Sequence, residues 1–285
     1  MGAGFSWCVS DSDEPLRPRL EDIPESCVAT VLMYLDPPDI CKLARLNRAF
    51  RGASSADFIW ESKLPSTYKF IVEKVLEDPS VMVLGKKEVY ARLCRHNPFD
   101  NGTKEFWLDK RTGGICLAIS SKALKITGID DRRYWNHIST DESRFQTVAY
   151  LQQIWWLEVE GDIDFQFPSG QYSVYFRLQL GKSSKRLGRR VCNMDQIHGW
   201  DIKPVKFQLT TSDGQHAVSC SYLDNPGNWA IYYVGKFVSK NPNDLMKIKF
   251  SLTQIDCTHI KGGLCVDSVF ICNSEIAGKE FRKFL

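Results

Sequence analysis

From Leu20 to Leu64 the chain sets three short helical patterns in a stretch too small to bury every apolar residue it carries. About 45 residues is near the lower limit for an independent hydrophobic core. The surplus therefore needs a further surface, supplied by the rest of the chain or by another molecule. The first pattern opens with Pro24 and Glu25, where a missing N–H is harmless and an acid meets the positive helix end. It sets Val28, Val31, Leu32 and Leu35 on one face. Asp36-Pro37-Pro38 ends it and starts the next, with Asp36 in the capping position and Pro37 first in the helix. Ile40, Leu43, Leu46 and Phe50 follow. Ser54 and Asp57 have capping-box spacing, which predicts a third helix through Ile59 and Trp60 to Leu64.

The 285 residues allow one large domain or two ordinary ones, and 43% hydrophobic with 25% charged residues is the balance of a soluble globular protein. A net charge of +3 is too small to argue for DNA or a membrane surface as partner. No apolar run approaches the length of a transmembrane segment. The start, MGAGFSWCVSDSDEP, has neither the basic nor the apolar part of a secretory signal, so residues 1–19 read as a disordered tail and the protein as cytoplasmic or nuclear. Ten scattered cysteines are then expected to stay reduced, and the sequon at Asn101-Gly102-Thr103 to stay unmodified. Met1 to Ser6 fits the myristoylation pattern with Gly2 as acceptor, but the acidic Asp11, Asp13 and Glu14 give no second membrane signal.

Beyond Leu64 the period stays helical: Tyr68, Ile71, Val72 and Val75 share a face, and Val89, Tyr90 and Leu93 another. Asn97-Pro98 and Asp100-Asn101-Gly102 then mark a boundary, after which the period becomes two. The stretches at Phe165, Tyr172–Leu180, Val205–Leu209 and Ile248–Ile255 alternate cleanly, with turn signals at Pro168-Ser-Gly170, Asp213-Gly214 and Asn225-Pro-Gly227. No helix of crossover length separates them. The expected fold is α+β and multidomain: a three-helix unit over 20–65, linker helices over 66–102, and an antiparallel, jelly-roll-like β-sandwich over 103–285.

Ile23-Pro24, the Val28 to Leu35 face, Ile40, Leu43, the Leu46-Asn47-Arg48-x-Phe50-Arg51 run and the late Trp60 together resemble an F-box. That resemblance implies docking of a Skp-type adaptor, and through it a cullin-RING ubiquitin ligase, by Ile23, Pro24, Val28, Leu32, Ile40 and Leu43. The second region is similar to the phloem lectin (Nictaba-like) domain in Phe106-Trp107-Leu108-Asp109, Ala123-Leu-Lys-Ile-Thr127, Asp131-Arg-Arg-Tyr-Trp135, Trp155-Trp156, His198-Gly-Trp-Asp-Ile-Lys-Pro-Val205 and Gly263-Leu-Cys-Val-Asp267. The pairing resembles a subgroup of plant F-box proteins.

A sugar site needs aromatic faces and fixed polar groups. The lectin resemblance implies a carbohydrate or target site at Arg133, Tyr134, Trp135 and Trp229, with N-acetylglucosamine oligomers as ligand class. Gly128 stands where those lectins carry another tryptophan, and Ala230-Ile231 where they carry acids. Trp107, Trp155 and Trp156 read as core. The basic run Lys182–Arg190 reads as a long exposed loop, which leaves RNA contact as a third reading. No metal site, cofactor motif or catalytic motif stands out. The resulting expectation is a non-catalytic substrate-recognition subunit of an SCF-type ligase, binding a target that carries a glycan; the alternative is a stand-alone cytoplasmic or nuclear lectin or stress-response binding protein.

Overall fold

The computed structural model describes residues 23–181, 183–186, 189–192 and 195–276. The expected tail and the acceptor Gly2 lie outside the described residues. Four short helices replace the expected three: α1 Glu25–Leu32, α2 Pro37–Leu43, α3 Arg48–Ala53 and α4 Asp57–Glu61. Asp36 holds the capping position of α2, yet its carboxylate accepts from Arg111 Nε at 2.9 Å and not from its own helix. Asn47 caps α3 by accepting from Phe50 N at 2.9 Å. The predicted Ser54–Asp57 capping box does not form. Ser54 instead ends α3, its hydroxyl donating to Arg51 O at 2.9 Å, a local bond that competes with capping. The Asp57 carboxylate accepts from Lys86 N at 2.8 Å, tying α4 to the linker.

The linker runs as α5 Tyr68–Ile71 continued by a π-helix Val72–Leu76, a 3-10 turn Pro79–Val83, and α6 Lys86–Leu93. Tyr68, Ile71, Val72 and Val75 share a buried face as expected. Trp60 packs on Tyr90 at 5.4 Å between ring centroids, and Phe70 meets Phe165 edge-on at 5.3 Å. Helices and sandwich therefore share one continuous core.

The sandwich opens with β1 Asn97–Phe99, β2 Lys104–Leu108, β3 Ile115–Ser120, β4 Lys125–Ile126, β5 Trp135–Ser139, β6 Thr147–Leu151, β7 Leu157–Phe165 and β8 Gly170–Leu180. It continues with β9 Ser183–Arg186, β10 Arg189–Cys192, β11 Val205–Thr211, β12 His216–Ser221, β13 Trp229–Ser239, β14 Met246–Gln254 and β15 Leu264–Asn273. One sheet runs β1-β2-β3-β15-β6-β5 with β8 and β13 added beyond β15; the other runs β12-β11-β14-β7-β4. The pairings within both are antiparallel, as the two-residue period requires. Phe167 joins the facing layers, 4.9 Å from Tyr172 and 5.2 Å from Phe237.

Two sequence expectations shift. The sheet starts at Asn97, ahead of residue 103, because Asp100, Asn101 and Gly102 all take positive φ and close the β1–β2 hairpin. The basic run pairs as a β9–β10 ribbon where a loop was expected. The loose alternation of β3 also has a cause. All six of its residues are buried because Trp107, Phe270, Cys272, Ile276 and Phe145 cover the outer face of its sheet.

Strand direction makes the molecule two-ended. The β7 strand meets the linker at Phe165, and its other end, Leu157, lies opposite Gln254 of β14. Its nine residues hold the ends roughly 27 Å apart. At the end away from the helices, the β4–β5 loop, the β6–β7 loop, the β14–β15 loop and the segment after β8 come together.

Candidate functional site

At the helical end, a short helix with a wide apolar stripe turns the centre of that stripe inward and leaves its flank outside. Val28, Leu32 and Ile40 are fully buried. The expectation that these three contact an adaptor is corrected: they build the small core that holds α1 to α4 together. Trp60 closes this core and donates from Nε1 to Ser54 O at 2.7 Å. Ile23 and Pro24 are exposed and Leu43 is half-buried, so these predicted contacts remain accessible. The flank includes Val31 and Leu46, which the sequence places in the apolar pattern without an adaptor role, and Tyr34 and Phe58, which it does not single out. Val31 is 60% exposed, Tyr34 81%, Leu46 59% and Phe58 51%.

At the far end, two of the four predicted contacts lie inside. Trp135 is 1% exposed and its Nε1 donates to Thr127 O at 3.1 Å. Trp229 is also buried. It donates to Glu142 Oε2 at 2.8 Å and carries the Arg177 guanidinium 4.2 Å above its ring. Arg177 is itself buried and donates to Asp267 at 2.9 Å, while Asp267 also accepts from Ser143 at 2.5 Å. Both tryptophans are corrected from ligand contacts to structural groups, each spending its one N–H on a protein acceptor.

Arg133 is exposed and Tyr134 half-buried. Arg133 donates to Asp131 from Nε at 3.1 Å and from its terminal nitrogen at 2.7 Å, and that hydrogen bonding holds the Asp131 carboxyl below the usual range. Tyr134 lies over Gly128. Gly128 has φ +79°, and a Cβ there would stand 3.4 Å from the Tyr134 ring. A tryptophan at 128 would meet both a left-handed backbone and an occupied space.

The core reading of Trp107 holds, at 3% exposed, but that of Trp155 and Trp156 does not: they are 49% and 44% exposed. Both indoles lie in the bend before β7, outside the alternation of a strand. The chain bends between buried Ile154 and buried Leu157 and turns both indoles out.

The bend rests on Lys261-Gly262-Gly263. Ile154 and Lys261 exchange two backbone hydrogen bonds of 2.8 Å, and Lys261 Nζ donates to Trp155 O at 2.6 Å and also to Asp256 O. This lysine is fully buried, and burial pulls its ammonium below the ordinary lysine range. Trp200 Nε1 donates to Gly262 O at 2.7 Å from the opposite side. Gln152 links the bend to the β4–β5 loop, donating from N to Tyr134 O at 2.7 Å and from Nε2 to Arg132 O at 3.0 Å. A Cβ on Gly263, at φ +78°, would stand 2.8 Å from Gln196 O. Gly263→Ala is expected to cost about 1–3 kcal/mol in a thermal melt.

Among the described residues no group of three or more His, Cys, Asp or Glu could hold a metal ion. His259 Nε2 lies 3.1 Å from Gly199 O.

Known proteins match both ends. The family model for Phloem protein 2 matches residues 114–273 and that for the F-box domain matches residues 20–62. An Arabidopsis thaliana protein described as "F-box protein PP2-A13" is 64% identical, over 98% of this chain and 100% of the relative. A second from that plant, "F-box protein PP2-A11", is 58% identical over 95% and 96%. Among solved structures, a family 35 carbohydrate binding module from Clostridium thermocellum aligns with 55% of this chain and 96% of its own, at 11% identity and a TM-score of 0.33.

Proposed function

The chain belongs to the Phloem protein 2 family and carries an F-box, and from that premise we propose that it is the substrate-recognition subunit of an SCF-type cullin-RING ubiquitin ligase. In this reading residues 20–65 dock a Skp-type adaptor, 66–102 form the connector, and 103–285 select a target, with a glycan on that target as the recognised group. The observation that carries it is the exposed apolar flank of the helices, Val31, Tyr34, Leu46 and Phe58, left outside the core that the helices share with the sandwich. A stand-alone lectin would need those residues absorbed by the rest of the chain, and among the described residues they are not.

Two-endedness suits the role. A target held at the far loops sits the length of β7, roughly 27 Å, from the linker that joins the docking helices to the sandwich. The chain then needs no reacting group of its own, since holding a target beside a charged conjugating enzyme makes a bimolecular encounter local. With its cysteines reduced, it would work in the cytosol or nucleus.

The test is co-elution of the full chain with a purified Skp-type adaptor on gel filtration. A complex of one copy of each is the expected result. Separate elution at micromolar concentrations overturns the docking assignment.

A further inference from the structure

We infer that Trp155 and Trp156 are the platform through which the far end contacts the glycan of the reading above, and that Lys261 is the positioning residue that presents the pair. This rests on reading the far end as the recognition surface. The two indoles are the large exposed aromatics of the loop cluster, each about half in solvent. A free chain rarely leaves two adjacent tryptophans so placed without a partner, since the indole combines a large apolar face with one polar N–H.

Most charges around the platform are paired, the Glu158 carboxylate beside Trp156 excepted. Asp131 and Arg133 neutralise each other through paired hydrogen bonds, and Asp130 to Arg133 sum to zero. Lys203 pairs with Asp256, and the Lys261 ammonium sits on two backbone carbonyls. Ionic selection of an anion is therefore poorly supplied here. What remains is flat apolar area with neutral polar groups beside it: the exposed amide of Gln153, the Tyr134 ring edge, and the Trp156 N–H, which reaches Glu158 only at 3.4 Å. Such a surface stacks on the C–H face of a pyranose and hydrogen-bonds its hydroxyls.

Lys261 gives the platform its shape. A fully buried lysine with two carbonyl acceptors is costly unless both bonds are kept. Those acceptors belong to Trp155 and to Asp256, so the side chain fastens the β6–β7 bend to the β14–β15 loop. Ile255, 51% exposed, directly precedes Asp256 in the loop fastened in this way.

The full chain is to be measured against immobilised neutral oligosaccharides, N-acetylglucosamine and mannose oligomers among them, with a decaproline peptide as a second ring-bearing probe. Wild-type protein is expected to hold at least one oligosaccharide. Trp155→Ala and Trp156→Ala should each weaken it about tenfold or more, the range of an interface anchor, with the melting temperature kept. Lys261→Met should weaken it in parallel at a temperature well below its own melt, with faster amide exchange over residues 152–157. Absence of binding to any oligosaccharide, binding that survives the double alanine variant, or retention of decaproline alone would each overturn the inference. Adaptor co-elution run on the same variants should be unchanged, so a failure here is separable from a failure of the ligase reading.

Discussion

Val31→Asp with Leu46→Asp is expected to abolish capture of a Skp-type adaptor while leaving the fold intact. Both side chains are about three-fifths exposed, at 60% and 59%, so in the free chain each change is a surface substitution within about 0.5 kcal/mol. In a complex each carboxylate would be pressed against apolar surface, losing the anchor's contacts and its own hydration. Loss of one interface anchor commonly costs about 2 kcal/mol or more, and each 1.4 kcal/mol is tenfold in affinity. Two such changes should lower affinity by roughly a thousandfold, which titration calorimetry reads as no detectable binding. Leu32→Ala makes the contrast. It empties a fully buried site and should cost about 2–5 kcal/mol of stability, so any loss of adaptor there follows from unfolding. Adaptor affinity that survives the double aspartate change would move the docking face away from this flank.

The same contrast explains what could be read in advance. The stripe Val28, Val31, Leu32 and Leu35 was visible as period, and the helix it predicts is there. Period alone gives a face some 100° or more wide. Whether Val28 and Leu32 or Val31 turns to the interior depends on where α3 packs, and nothing in α1 encodes that. The capping box failed for a related reason: Ser54 had a closer acceptor in Arg51 O. The sandwich was legible because alternation is local, as in β7 and β14, whose inward residues are buried every second position. The roles of the tryptophans were not. Trp229 is buried because Arg177, on the neighbouring strand, lies over it, and Trp135 because β5 pairs with β6 at Leu151. Register places such partners, and register is absent from a one-dimensional pattern. Trp155 and Trp156 turn outward because a bend held by Lys261 carries them, a long-range contact that the local pattern does not encode.

Trp135→Ala is accordingly expected to act on folding and not on ligand contact. Its indole is 1% exposed and is anchored by an N–H bond to Thr127 O, so truncation leaves both a cavity and an unpaired carbonyl. Loss of a buried Trp costs about 3–5 kcal/mol. A domain of this size loses about 2–4 °C per kcal/mol, which puts the melt roughly 10 °C lower. Tyr134→Ala, one residue earlier, removes a half-buried ring resting on Gly128 and on the already paired Arg133, and should lower the melt by no more than about 4 °C. Differential scanning calorimetry on the two variants separates these cases. An unchanged melt for Trp135→Ala would mean that the indole is not part of the core. If the melt falls as expected, ligand binding measured well below it should survive in Trp135→Ala and fail in Trp156→Ala. A variant in the conspicuous Tyr-Trp pair would then report stability, and recognition would be read only from the tryptophans that the Lys261 fastener turns outward.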